Sequence, residues 1–517
     1  MSFTSDSKII TMNTLFLYFR MLFSMAVNLY TLHVVLNTLG ISDYGIYGVV
    51  SGIAVLFSFL KNSINGATSR FLTFELGCSS KEKLKKIFSA ALTIHILIAG
   101  IIFILTETVG LWGLGNKIVI PIERIPAANW VFQLSIISIM ISVIQVPYSA
   151  MIIAHERMNV YAYIEILNYT LQLLAVYFLS VVGSFDKLIL YAALLLGVSS
   201  FITLVYKFYC VKNFSACRYK LRWEKEIIYP MLKFSVWDLY GNMAVVTKLQ
   251  GINILFNLYF GVAVNSAYSI ATLVDSAIIN FSGNFLAAVR PRIVKYYAAN
   301  EIERMEHLII NSAKISFFLL FFTSLPLIIE NHFILHFWLT NVPEYTVLFC
   351  QLNYINSLQA SMFFVLIFAI HATGQIRSFS FISGSIYLLV IPISYFLLKA
   401  GYSPIVPFIV NTILFVFYFA ASLIMTHLLI PQFSLGRFLF KVVFICFATL
   451  LIASIIPIYL HYCFVEGWLR FIIVVVTSTV STALSGYFIM LNKETRQHMR
   501  GMVFSKVSFR KLSNEYT

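Results

Sequence analysis

Apolar runs of about twenty residues or more recur along the chain, each cut by a short cluster of charged residues, Pro, Gly or Asn. About 20 apolar residues in a helix cross the hydrocarbon core of a bilayer. The pattern therefore predicts fourteen membrane helices, at about 10–38, 44–66, 87–111, 128–153, 160–182, 187–209, 229–258, 262–288, 307–331, 345–371, 378–399, 403–428, 438–460 and 467–491. Pro121 and Pro126 blur the start of the fourth, so the 112–127 connection is the least defined. The first run has only Lys8 before it and is too long for a signal-peptide core, and no small-residue cleavage pattern follows, so it reads as a permanent span. No connection is long enough to fold as a separate domain.

Inside several spans the polar residues share a face when successive residues are turned by 100°. In the first, Asn13, Ser24, Asn28 and Thr31 fall within about 80° of Arg20. In the seventh, Asp238, Gln250, Asn253 and Asn257 fall within about 80° of Asn242. In the second, Ser51, Ser58 and Asn65 accompany Lys61; in the eighth, Asn265, Thr272 and Ser282 accompany Asp275; in the ninth, His307 and Asn311 accompany Lys314. Lipid cannot solvate such a stripe, so five helices are expected to face a hydrated cavity rather than the acyl chains. Scattered Ser and Thr would suffice as interhelical hydrogen-bond glue, but a charged group on each of five helices asks for more.

Depth sorts these charges. Arg20 lies near the midplane, out of snorkelling range, and requires either an anionic substrate or an acidic partner. Asp238 and Asp275, also near mid-depth, read equally as sites for a coupling cation or proton and as ion-pair partners. Lys61 and Lys314 are closer to one surface and are candidate cavity cations that could also snorkel. Lys248 points away from the stripe of its own helix and reads as snorkelling, while Glu107 and Glu330 read as interfacial. Arg70, Arg290 and Arg292 stand where spans meet the cytoplasm, where they would steer an anionic headgroup or simply mark topology.

Composition narrows the class. Of 517 residues, 60% are hydrophobic and 11% charged, against roughly 25% charged in soluble domains. That excludes an ordinary soluble enzyme, a disordered chain and a nucleic-acid binder. The formal charge of +15 follows from topology: with the N-terminus inside, 26 of the 36 Lys and Arg fall in cytoplasmic segments and only Lys117, Arg124, Lys187, Lys399 and Arg470 outside. Positive residues are retained on the cytoplasmic side, so both termini are expected there, with a basic tail able to touch anionic lipid. Cys78, Cys210, Cys217, Cys350, Cys446 and Cys463 show no CxxC or metal spacing and read as small apolar residues. No nucleotide, zinc or nucleophile motif occurs, and no metal site or enzyme activity is expected.

The two halves resemble each other. Leu39-Gly40, then Tyr44-Gly45-Ile46-Tyr47, then Ala67-Thr68-Ser69-Arg70-Phe71 is echoed by Phe260-Gly261, Ala267-Tyr268 and Ala287-Ala288-Val289-Arg290-Pro291. Ala154-His155-Glu156-Arg157-Met158 is echoed by Ala372-Thr373-Gly374-Gln375-Ile376. The expected organisation is an N-lobe of six spans (1–210), a basic linker (211–228), a C-lobe of six spans (229–430), two further spans (431–491) and a basic tail (492–517). Parallel repeats of this kind place substrate between lobes that rock.

The run Leu39 to Tyr47, with Arg70-Phe71, Glu75-Leu76-Gly77, Ala154 to Asn159 and Ala288 to Ile293, resembles bacterial polysaccharide (O-antigen) flippases of the Wzx type, in the MOP superfamily with MATE exporters and MurJ. The resemblance implies an all-α fold of 12 to 14 membrane helices, MATE- and MurJ-like, in the bacterial inner membrane. It implies outward flipping of undecaprenyl-pyrophosphate-linked oligosaccharide, a repeat unit of O-antigen (lipopolysaccharide), capsule or exopolysaccharide, by alternating access. No cofactor is implied beyond a coupling Na+ or H+. Polysaccharide polymerase and chain-length machinery are the implied protein partners, with no nucleic acid. Arg20 resembles the cavity arginine of MurJ-like proteins. Arg20, Lys61 and Lys314 are then the expected headgroup cations, and Asn28, Asn242, Asn253 and Asn257 the amides for sugar hydroxyls. A MATE-like multidrug or cation antiporter shares the expected fold, and a membrane polysaccharide polymerase or ligase is the enzyme alternative.

Overall fold

The computed structural model describes the chain except residues 1, 57, 79, 113–120, 182–185, 219–223, 340–341, 491–495 and 497–517; side chains are also undescribed at some further positions inside the first helices and at 262–263. The centre of the 112–127 connection and nearly all of the basic tail thus lie outside the described residues. All the regular structure described is helical. Every backbone polar group in a hydrocarbon layer must be paired within the protein, and a helix does this without neighbours.

Twelve helices among the described residues are long and apolar enough to cross a membrane: Ile9–Asn28, Lys81–Thr108, Ile122–Ala154, Met158–Val181, Lys187–Asn213, Val264–Ala298, Ile302–Ile329, Thr346–Thr373, Arg377–Lys399, Val406–Leu429, Leu435–Cys463 and Trp468–Met490. The other two expected spans, the second and seventh, are also helical where described, the second within Ser2–Leu56 and Ser58–Gly77 and the seventh within Lys225–Ala298. The chain is a multi-pass membrane protein.

Two junctions differ in kind. Helix Lys225–Ala298 is interrupted at Gly261, whose φ of 76° and ψ of −166° are non-helical. A positive φ suits a residue without Cβ, so the seventh span hands over to the eighth at one residue. The first and second spans, expected to separate near 39–43, instead continue in one helix, Ser2–Leu56. No proline lies in that stretch to stop it.

The chain forms two compact units whose borders fall inside helices. The first comprises Met1–Thr247, Ala287–Met305 and Phe368–Ser385; the second comprises Lys248–Leu286, Glu306–Ile367 and Ile386–Thr517. In the first unit, the most enclosed helix is Lys81–Leu105, which buries Ser89, Ala90, Ala91, Thr93 and Ala99. Small residues let helix backbones approach where lipid supplies no hydrophobic drive, so packing is by van der Waals contact. Arg124, at the start of Ile122–Ala154, ties helix Ser2–Leu56 to the start of helix Lys187–Asn213. Its guanidinium grips both carboxylate oxygens of Asp43 and donates to Asp186 Oδ2 at 2.6 Å, while Asp186 caps helix Lys187–Asn213 by accepting from the Leu188 and Ile189 amides.

In the second unit, helices Ile445–Cys463 and Trp468–Ser485 pack together and expose Phe447, Leu451, Ile455, Val476 and Val480, an outer face suited to acyl chains. Glu330 does not lie at an interface as expected: its side chain is fully buried and accepts from His461 Nδ1 at 2.8 Å and Arg470 Nη2 at 2.9 Å. A carboxylate so enclosed persists only with such partners. Beyond the spans, Glu466 accepts from His332 Nδ1 at 2.9 Å, which holds its carboxyl below the usual range.

Candidate functional site

Three polar groupings in the first unit gather residues that the sequence singled out, two around striped spans and one where spans were expected to meet the cytoplasm. Around the first span, Arg20 is half-buried; its Nη1 donates to the Tyr161 hydroxyl at 3.3 Å, and its Cζ lies 5.3 Å from that ring's centroid. Lys61 is half-buried and within electrostatic reach of Glu165. Glu165 in turn accepts from the Tyr206 hydroxyl at 2.8 Å. Arg20 and Lys61 therefore share surroundings with an acid that the stripe analysis passed over. The signal was present: Tyr161, Asn168, Tyr169 and Gln172 all lie within roughly 60° of Glu165 at 100° per residue.

Asp238 forms the second grouping. Its carboxylate accepts from Asn242 Nδ2 at 3.2 Å and lies 3.7 Å from His371 Nε2. Gly66 brings the second span close: a Cβ there would stand 2.9 Å from Asp238 Oδ2 and 3.8 Å from Arg290 Nη2. Arg290 stacks on Phe368, with 5.4 Å from Cζ to the ring centroid.

Arg70 and Arg292 form the third with their partners. Arg70 is buried; it donates from Nη2 to the Ala372 carbonyl at 2.9 Å and lies between the rings of Phe71 and Phe74. It occupies the space beside Gly374, where φ is 78° and a Cβ would sit 2.7 Å from Nη2, so both conformation and room call for glycine. Arg292 pairs with Glu156 at 3.1 Å, and Lys295 pairs with the same carboxylate at 2.8 Å. The three arginines expected to meet a headgroup are thus each engaged by protein groups, Arg70 and Arg292 by direct bonds and Arg290 by Asp238 and Phe368.

The second unit holds a half-open cavity of about 210 Å³. Lys248, Asp275, Asn353, Asn356, Ser357 and Asn411 supply its polar wall. Lys248 does not snorkel to a surface as its helical angle suggested. Its Nζ donates to Asn411 Oδ1 at 3.0 Å and lies 4.8 Å from the Tyr387 ring centroid. Asp275 Oδ1 accepts from Ser357 Oγ at 2.7 Å. Asn353, Asn356 and Ser357 are spaced i, i+3, i+4 on helix Thr346–Thr373, which puts them on one face. These residues, with Asn411, were missed by the sequence reading, which followed helices bearing formal charge.

Lys314, expected in the cavity, is buried and donates from Nζ to the Met490 carbonyl at 2.9 Å. Asn28, Asn242 and Asn257 are exposed, as is Gln250, and Asn253 is half-buried. Among the described residues, no three His, Cys, Asp or Glu side chains form a metal-ion cluster.

Solved structures share this architecture. A crystal structure of a MATE P26A mutant matches with a TM-score of 0.68 at 13% identity, over 81% of this chain and 97% of that one. The chain has the MATE transporter fold. An outward-facing multidrug resistance MATE family transporter of the MOP superfamily matches with a TM-score of 0.67 at 13% identity, over 82% and 97% of the two chains. A MOP superfamily transporter from Pyrococcus furiosus, described as having reverse polarity of its binding pocket, matches with a TM-score of 0.59 at 13% identity, over 82% and 96%. No family model matches the sequence, and no curated protein sequence resembles it closely enough to count as a match.

Proposed function

We propose that this protein is a membrane transporter that flips an oligosaccharide linked to undecaprenyl pyrophosphate outward across the bacterial inner membrane by alternating access. The observation that carries the reading is Arg20 and the exposed amide Asn28 on one stripe of the apolar span Ile9–Asn28, with further exposed amides, Asn242, Gln250 and Asn257, along helix Lys225–Ala298. Amides offer a donor and an acceptor to sugar hydroxyls, and a guanidinium offers a planar fork to a diphosphate. A transporter of organic cations needs neither. Gradient coupling by Na+ or H+ belongs to the same reading, with Asp238 as its carboxylate. The charge bias of the connecting segments supports cytoplasmic termini.

The test is reconstitution in vesicles. Lipid-linked oligosaccharide should become accessible on the opposite leaflet at a protein-dependent rate, with no extrusion of a cationic dye. The converse result would establish the cation-antiporter reading, which the MATE fold accommodates.

Water access gives a second expected outcome. Cysteines placed at Ser24, Asn28, Asn253 and Asn257 should react in membranes with a water-soluble maleimide, whereas cysteines at Leu15, Leu22 and Ile254 should not. Equal labelling of both sets would remove the hydrated stripe.

A further inference from the structure

We propose that the cavity inside the second unit binds a single uncharged pyranose ring, a hexose or an N-acetylhexosamine. The proposal deepens the flippase reading and rests on it for the source of the sugar, the saccharide of a lipid-linked substrate. Its own support is the chemistry of the wall.

Size comes first. At about 210 Å³ the cavity is smaller than the roughly 300–1,000 Å³ of sites for drug-sized ligands, which suits one ring rather than a chain of rings or a multi-ring drug. Charge comes next. Lys248 and Asp275 face the same space. A metal cation attracted by the Asp275 carboxylate would meet the Lys248 ammonium, and an anion attracted by Lys248 would meet Asp275. Each charge thereby discriminates against the ligand that the other would favour, as specificity requires. What fits is a ligand without net charge but with several hydroxyls, to which an ammonium, a carboxylate and amides can all hydrogen-bond.

The amides carry the argument further. Asn356 Oδ1 accepts from Thr412 Oγ1 at 2.8 Å and Asn411 Oδ1 from Lys248, so each carbonyl end is engaged within the fold. Asn353 Nδ2 is buried and has no hydrogen-bond partner. An unpaired buried amide N–H is costly, and a ligand hydroxyl would satisfy it. Around these groups stand Tyr268, Tyr387, Phe408 and Phe415. The electron-rich faces of such rings attract the weakly positive C–H face of a sugar.

The test uses the full chain in lipid nanodiscs and saturation-transfer NMR with methyl N-acetyl-β-glucosaminide, methyl β-glucoside and methyl β-glucuronide. The two neutral glycosides should bind and the glucuronide should bind more weakly. Asn353→Leu should weaken neutral-glycoside binding at least tenfold while leaving Tm unchanged, because Nδ2 gives up no hydrogen bond within the fold. Ala360→Phe, which fills the cavity from the same helix, should abolish binding. Absence of glycoside binding, undiminished binding in Asn353→Leu, or saturable Na+ binding removed by Asp275→Asn would overturn the proposal. Glycoside binding that persists in a protein unable to flip lipid-linked oligosaccharide would sink the transport reading and leave this site standing. Normal flipping without glycoside binding would do the reverse.

Discussion

Arg20→Ala is expected to insert and fold at the wild-type level yet lose export of lipid-linked oligosaccharide by about 30-fold or more, the fold-change for truncating one partner of a buried charged pair. A charge held at the centre of a membrane helix costs about 2.5–3.5 kcal/mol by insertion scales. Tyr161, at 3.3 Å, accepts one of its five N–H donors and lends its ring face to the cation. A diphosphate makes use of a guanidinium's planar fork. Arg20→Lys keeps the charge but loses the two parallel hydrogen bonds and should fall between wild type and Ala. Flipping rates in vesicles, normalised to reconstituted protein, measure this. Wild-type transport by Arg20→Ala at unchanged protein level would make the residue structural and remove the phosphate role.

The largest effect on stability is expected where a charge is fully enclosed. Arg470→Leu should destabilise the protein by about 3–5 kcal/mol, because it leaves the Glu330 carboxylate buried without its guanidinium partner, facing His461. The double variant Glu330→Leu/Arg470→Leu should recover much of that loss, since removing both partners removes the stranded charge as well as the pair. Thermal or denaturant unfolding of the two variants beside Glu330→Leu gives the coupling energy by a double-mutant cycle. Additive losses would show that the pair contributes nothing through its contact.

These residues also mark how far local pattern reaches. The spans were legible because a bilayer asks each helix to satisfy the same length and polarity rule by itself, and the seventh-to-eighth junction at Gly261 was legible from its place between two runs. The stripe rule singled out Arg20, Asp238 and Asp275; their hydrogen-bond partners in the structure are Tyr161, Asn242 and Ser357, of which Asn242 alone was on a stripe. It misplaced Lys248 because an angle measured against one helix's own polar face cannot register Asn411 and Tyr387, more than a hundred residues away. It passed over Glu165, whose neighbours Tyr161 and Tyr169 count as apolar in a hydropathy scan though their hydroxyls do not. It sent Glu330 to an interface because the end of a span is also where a membrane protein tucks a charge against its next helices.

By itself, then, the sequence determined that this chain crosses a membrane many times and which residues are polar inside it. Those properties depend on runs and periods within single helices, where side chain and backbone obey local rules. Only the tertiary structure decided which polar groups are already satisfied and which remain to meet a ligand. Lys314 is taken up by Met490, Arg70 by Ala372 and Arg292 by Glu156, while Asn353 is left with a buried N–H to donate. The physical reason is that a hydrogen bond or an ion pair belongs to two groups at about 3 Å, and in a helical membrane protein the second group almost always lies on another helix, at a sequence distance no period encodes.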